Sequence, residues 1–291
     1  MRGVNTPTIP PYLAHGPAEV VQPLLLDSPH SGCVFPPDFG AAVSELELRD
    51  GEDCFVDELW RPAAGRGVWL LAANFPRTYI DANRHAGDID LELLDGAHWP
   101  YAHQPSGKAA IGKALLWRTL DNGTPIYARK LSVAEVRSRI DRFHEPYHRA
   151  LARRIADTHA RFGYSLHVNC HSMNAVGGAN GEGGAGKARA DIVLGDRDGT
   201  TCDPSITAFA RERLAASGYD VRVNDPFKGV ELVRAYANPA AGRHSLQLEV
   251  NKRLYMDEAA CARHDGFDQL QADLMSLVDA LLGFCRSRTT R

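Results

Sequence analysis

The chain has 291 residues, 44% hydrophobic and 24% charged, with a formal net charge of −3, which is the composition of an ordinary water-soluble globular protein. That length can bury a sizeable core as one large α/β domain or two smaller ones. The balance of charge excludes the basic field that nucleic acid or an anionic membrane would need, no apolar run approaches membrane-span length, and residues 1–7 lack the apolar core of a secretion signal.

Six cysteines, at 33, 54, 170, 202, 261 and 285, are scattered without a CxxC pair and read as reduced thiols of a cytoplasmic protein. Residues 1–21 form a proline-punctuated lead-in. A first buried strand is expected near 22–27, in Pro23-Leu24-Leu25-Leu26-Asp27-Ser28-Pro29-His30-Ser31-Gly32, followed by a Pro- and Gly-rich loop to Gly40. Asp50-Gly51-Glu52-Asp53 then opens a helix with Phe55, Val56, Leu59 and Trp60 as its apolar stripe. Two more strands are expected at 68–72 and 77–80, and 85–112, rich in Asp, His, Gly and Pro, is a long loop. The clearest amphipathic helix runs over 133–161 and stops at Gly163.

A second apolar run, Tyr164-Ser165-Leu166-His167-Val168-Asn169-Cys170-His171-Ser172-Met173, ends like the first in a His-Ser pair. A short strand at 192–194, a helix at 206–216 closed by Gly218 and a strand at 219–223 follow. The third run, Ser245-Leu246-Gln247-Leu248-Glu249-Val250, carries a carboxylate between apolar neighbours. A terminal amphipathic helix spans 266–285, and 286–291 read as a frayed tail. The alternation predicts a single α/β domain over 22–285, with a mixed, mostly parallel sheet between helices.

The glycine-rich tract 177–187 nearly spells a phosphate loop in Gly181-Glu182-Gly183-Gly184-Ala185-Gly186-Lys187, but Ala188 stands where a hydroxyl is needed for Mg²⁺. The tract also runs into another strand where a phosphate loop would enter a helix, so it reads as a loop beside His171, placed to act as a lid.

In open α/β sheets chemistry collects beyond the carboxyl ends of the strands. His30, His171 and Glu249 all stand at such ends and can meet in one cleft, an arrangement that suits a catalytic metal with one position left open. A carboxylate flanked by Leu248 and Val250 must be paired, bound to metal or held for acid/base chemistry. Asp53, and Asp57 one turn further on, are acids at a helix start, where capping and the helix dipole explain many such residues.

Several segments resemble the N-formylglutamate amidohydrolase family, the N-formylglutamate deformylases. They are Ser28-Pro29-His30-Ser31-Gly32, Asp53-Cys54-Phe55-Val56-Asp57-Glu58-Leu59-Trp60, Tyr79-Ile80-Asp81-Ala82-Asn83-Arg84 and Phe143-His144-Glu145-Pro146-Tyr147-His148, followed by Cys170-His171-Ser172-Met173, Asp191-Ile192-Val193-Leu194-Gly195-Asp196, Pro226-Phe227-Lys228-Gly229 and Leu246-Gln247-Leu248-Glu249. They occur in order over roughly residues 20–260. The family is similar in fold and site logic to zinc carboxypeptidases and aspartoacylases, which implies a three-layer α/β/α domain holding one Zn²⁺.

The resemblance implies His30, Asp53 and His171 as zinc ligands, with Asp57 the alternative acid, and Glu249 as the general base toward zinc-bound water. It implies Asn83 and Arg84 as a clamp on the substrate α-carboxylate, since a guanidinium fork makes two parallel bonds to a carboxylate. Lys228, His144, Tyr147, His148 and His244 are further candidates for the pocket. Asn169 departs from the family, many members of which carry an Asp two residues before the second zinc histidine; an amide would orient that imidazole more weakly. The implied activity is hydrolysis of N-formyl-L-glutamate to formate and L-glutamate, a step of histidine degradation. The alternatives are a broader N-acyl-amino-acid deacylase or carboxypeptidase-like hydrolase, and an inactive metal- or ligand-binding protein on the same fold. The expected partner is a small N-acyl amino acid, with no nucleic acid or membrane; the oligomeric state stays open.

Overall fold

The computed structural model describes residues 9–178 and 182–289. In chain order its elements are β1 (Tyr12–His15), β2 (Leu24–Ser28), α1 (Glu45–Leu48), α2 (Val56–Trp60), β3 (Trp69–Ala73), α3 (Val133–Arg139), α4 (Glu145–Phe162), β4 (Ser165–Met173), β5 (Ile192–Gly195), α5 (Pro204–Ala216), β6 (Val221–Val223), α6 (Glu231–Tyr236), β7 (Arg243–Asn251), β8 (Met256–Asp257), β9 (Ala262–Arg263) and α7 (Gly266–Arg286). Seven strands form one sheet in the order β1-β3-β2-β4-β7-β5-β6. The pairs β3–β2, β2–β4, β4–β7 and β5–β6 are parallel, while β1–β3 and β5–β7 are antiparallel. The fold is thus α/β with a mixed, mostly parallel sheet.

The five inner strands β3, β2, β4, β7 and β5 are buried on both faces, which is why they read as apolar runs. Leu24, Leu26, Leu166, Val168, Leu246 and Leu248 pack on one face against Val56 and Leu59 of α2, Ile206 and Leu214 of α5, and Leu274 and Val278 of α7. Leu25, Trp69, Leu71 and Ala73 pack on the other against Val136 of α3 and Tyr147, Leu151 and Ile155 of α4. The chain leaves β2 for β3 on one side and returns to β4 on the other. That is a topological switch point, where an open sheet splits to leave a crevice.

Four expectations need correction. Residues 77–80 are a turn, not a strand: the amides of Tyr79 and Ile80 both reach the Pro76 carbonyl, at 3.0 and 3.4 Å. Their apolar pattern reflects burial against the helical layer, with Tyr79 edge-on to Phe143 at 5.4 Å. The helix expected to open at 50–53 is a 3₁₀ turn at Arg49–Gly51, and α2 starts only at Val56 after Phe55 turns through φ 63°. The helix expected over 133–161 contains a π-helical turn, Ile140–His144, before ending at Gly163 with φ 66°, the left-handed value glycine accepts without cost. The lead-in contributes β1, unforeseen, as an edge strand on β3.

Arg286 closes α7, and 290–291 of the expected tail lie outside the described residues, as do 1–8 and 179–181. Among the described residues no helix is long and apolar enough to cross a membrane.

Candidate active site

Side chains alternate faces along a strand. On β4 and β7 the central residues turned away from the α2/α7 layer are polar: His167, Asn169 and His171 on one, Ser245, Gln247 and Glu249 on the other. The parallel register sets Asn169 beside Asp27 of β2 and His171 beside Glu249. His30 follows just beyond β2, in a loop that runs so close to the end of β3 that a Cβ on Gly32 would sit 2.4 Å from the Phe75 carbonyl oxygen. Only glycine lets the backbone approach in this way.

His30, Asp53 and His171 converge, with one ligand atom from each lying within 4.8 Å of the others. His171 Nδ1 is 3.0 Å and His30 Nδ1 3.4 Å from Asp53 Oδ2, and the two rings are 4.7 Å apart. The Asp53 amide donates to the His30 carbonyl at 3.0 Å, tying the two loops together. On its far side His30 Nε2 donates to Asp81 Oδ1 at 2.7 Å. Asp81 in turn accepts from Arg77 at 2.9 Å and from the Asn83 amide at 2.8 Å. A carboxylate behind an imidazole fixes the tautomer that leaves the other nitrogen free. Burial alone would raise Asp53 and Asp81, but His171 and His30 hold Asp53, and His30 and Arg77 hold Asp81, well below the usual carboxylate range. Burial lowers His171, partly offset by Asp53.

Two imidazoles and a carboxylate, all three lining one cavity, make a donor set that would suit zinc. Among the described residues the buried His30 Nδ1 finds no hydrogen-bond partner, a polar atom in want of a partner of the kind an ion supplies. Asp57 is turned elsewhere, in an ion pair with Arg61 at 2.6 Å.

These residues line a cavity of about 540 Å³ together with Glu249 and Gln247. Gln247 Nε2 donates to Glu249 Oε1 at 2.9 Å. Burial, then the nearby Asp53 charge, pushes Glu249 well above the ordinary glutamate range, against the pull of Arg77 and Arg189. Among the described residues seven lysine and arginine side chains line the cavity against four carboxylates, so it favours an anionic occupant.

A family model described as N-formylglutamate amidohydrolase matches residues 22–256. The chain belongs to the N-formylglutamate amidohydrolase family. It is 31% identical over 272 residues to an N-formylglutamate deformylase of Pseudomonas aeruginosa, covering 91% of this chain and 95% of that one. It is 30% identical over 275 residues to the protein of the same name from Pseudomonas putida, covering 92% and 96%. The crystal structure of an N-formylglutamate amidohydrolase from Ralstonia eutropha superposes with a TM-score of 0.89 at 43% identity, covering 96% of this chain and 99% of the other.

Within this member of the N-formylglutamate amidohydrolase family, Asn83, Arg84 and Lys228 also line the cavity. Arg84 Nε donates to the Lys113 carbonyl at 3.2 Å. Asn83 is held at both ends: Oδ1 accepts from the Leu232 amide at 2.9 Å, and Nδ2 lies 3.1 Å from His171 Nε2. Lys228 is exposed and paired with Asp198 at 2.9 Å. His144 and His148 do not line the cavity; they stack at 4.0 Å, and their Nε2 atoms donate to the Arg84 and Ala82 carbonyls at 2.8 Å, shaping the loop that presents Asn83 and Arg84. Tyr147 donates to Asp27 at 2.7 Å. His244 lies at the opposite end of β7 from Glu249, against Tyr164, and accepts from the Asp203 amide at 3.3 Å.

The sequence reading missed Arg77, Asp81, Lys113 and Arg189. Asp81 lies inside the matched segment 79–84, where it could have been found. Arg77 and Lys113 flank the ring of Trp117 at 4.8 and 3.5 Å, a contact without local signal. Arg189 lies past the glycine-rich tract, whose stem closes through the Gly177 amide and the Lys187 carbonyl at 2.9 Å.

Proposed function

We propose that the protein is a zinc-dependent amidohydrolase that converts N-formyl-L-glutamate to formate and L-glutamate. What carries the reading is the donor set of His30, Asp53 and His171 beside Glu249, in a cation-lined cavity of a chain from this family. A zinc ion held there would supply Lewis-acid polarisation of the formyl oxygen and lower the pKa of a water toward neutrality. Glu249 takes the proton from the attacking water and passes it to the leaving amino nitrogen. Its raised proton affinity suits both halves of that task.

Among the described residues, Arg84, Arg189 and Lys252 of the cationic lining form no ion pair, so they are the groups with charge to offer a substrate. Arg84 takes the α-carboxylate. Arg189, whose guanidinium donates to the Asn174 and Glu182 carbonyls at 3.2 Å and whose Nε is buried without a partner, takes the γ-carboxylate in preference to the paired Lys228.

Formate release from N-formyl-L-glutamate tests the reading. Turnover that is lost on chelation and restored by Zn²⁺ is the expected result. A zinc-loaded protein that releases no formate overturns it.

A further inference from the structure

Behind His171 runs a chain of buried polar groups that the proposed reaction does not touch. His171 Nε2 lies 2.8 Å from Asn169 Oδ1. The same amide donates through Nδ2 to Asp27 Oδ1 at 2.7 Å. Asp27 also accepts from His167 Nε2 and from the Tyr147 hydroxyl, each at 2.7 Å. His167 Nδ1 closes the chain at Ser245 Oγ, 3.2 Å away. Asp27, His167 and Asn169 are all fully buried.

A carboxylate only accepts hydrogen bonds, so each of its three partners must be a donor. Although burial works against the charge, His167, Tyr147 and Asn169 together hold Asp27 below its usual range, and it remains an anion. Its charge therefore dictates which way the Asn169 amide points: Nδ2 to Asp27, Oδ1 to His171. An amide oxygen at 2.8 Å calls for a proton on His171 Nε2. In a neutral imidazole the lone pair then lies on Nδ1, the atom that faces Asp53.

One group pulls the other way. Asn83 is pinned as a donor, because its Oδ1 accepts from the Leu232 amide, and its Nδ2 stands 3.1 Å from the same His171 Nε2. Left alone with Asn83, His171 would keep its proton on Nδ1. The closer contact is Asn169, strengthened by the anion behind it.

His30 has its carboxylate directly behind the ring, in Asp81. For His171 the carboxylate stands one amide further back. A buried anion is seldom retained for stability, because apolar packing of the same volume does as well or better.

We infer that Asp27 is a positioning residue for the metal site, acting through the Asn169 amide to hold the proton on His171 Nε2 and keep Nδ1 open toward the ion. This rests on the reading of His171 as a metal ligand.

Zn²⁺ titration against a competing chelator, with nitrogen-15 NMR of the histidine rings in the metal-free protein, tests it. Asn169→Ala should weaken Zn²⁺ binding roughly 10- to 100-fold. It should also move the His171 ring signature from the Nε2–H toward the Nδ1–H tautomer while His30 stays unchanged. The exchange Asp27→Asn/Asn169→Asp puts the carboxylate directly behind His171 and an amide behind that, and should restore Zn²⁺ affinity to within about threefold of the wild type.

Wild-type affinity and an unchanged His171 tautomer in Asn169→Ala overturn the inference. If that variant does not fold, the exchange variant decides: a folded protein that has lost more than about tenfold in Zn²⁺ affinity overturns it equally. His171→Ala separates the two readings. If it keeps wild-type Zn²⁺ affinity, the metal-site reading fails; if it loses the ion while Asn169→Ala does not, only the positioning role of Asp27 fails.

Discussion

His171 and Glu249 are register partners on the adjacent parallel strands β4 and β7. Both side chains stand on the face away from the α2/α7 layer, near the carboxyl ends of their strands. Neighbouring strands are about 4.8 Å apart, so the sheet itself holds the acid/base group beside the donor set. No loop closure is needed to bring them together.

Glu249→Gln tests the role of this pairing. The amide preserves shape but cannot take a proton, so zinc content should persist while turnover falls by about 10²- to 10⁴-fold. Near-normal turnover would make Glu249 structural and send the search to another carboxylate.

The donor set makes a separate prediction about two acids four residues apart. Asp53→Ala and His171→Ala should each lose most of the roughly one zinc per chain while remaining folded by circular dichroism. Asp57→Ala should keep it, because that carboxylate is committed to Arg61 at 2.6 Å. Elemental analysis of the purified variants is the measurement. Zinc retained by Asp53→Ala and lost by Asp57→Ala would reverse the assignment.

Much of this was legible in the sequence because strands buried on both faces leave little room for polar residues. His30, His171 and Glu249 stood out at the ends of apolar runs for that reason. Side-chain parity could have gone further: His244 is five residues from Glu249, an odd number, so on one strand the two must face opposite sides. Residues 77–80 misled because burial of Tyr79 and Ile80 in a turn leaves the same apolar mark as a strand. Asp27 read only as a strand end, since its partners His167, Asn169 and Tyr147 lie 120 or more residues away. The contacts of Arg77, Lys113 and Arg189 are likewise made across the fold, beyond any local pattern.

The unpaired cations lead to a prediction on substrate choice. Arg84→Ala should reduce kcat/KM for N-formylglutamate by a factor of roughly 30 or more, the usual loss when a buried charge-assisted contact is removed. Arg189→Ala should cost much more with N-formylglutamate than with N-formylleucine, and Lys228→Ala should cost little with either. The wild type should prefer the dicarboxylate, because an apolar side chain leaves the second cation unmatched. Equal kcat/KM values for the two substrates would rule out a dicarboxylate site and favour a general deacylase.

The stacked histidines beneath the Arg84 loop predict an acid weakness. Burial, and then the neighbouring His148 ring, depress His144 from 6.5 to about 3, against a smaller opposing effect of the Arg84 carbonyl. Burial lowers His148 in the same direction. A depressed histidine is neutral in the folded chain but takes up a proton on unfolding once the pH drops below about 6.5. The unfolded state then binds more protons, so stability is intact above that pH and falls steadily toward pH 3. At pH 5 the cost from His144 alone is about 2 kcal/mol. His144→Gln keeps a donor for the Arg84 carbonyl and removes the titration. Urea unfolding of chelated wild type and variant at pH 7 and pH 5 measures it: the wild type should lose about 2 kcal/mol more than the variant over that interval. Equal losses would mean that His144 takes up its proton without leaving the folded state, and that the carbonyl cradle accommodates an imidazolium.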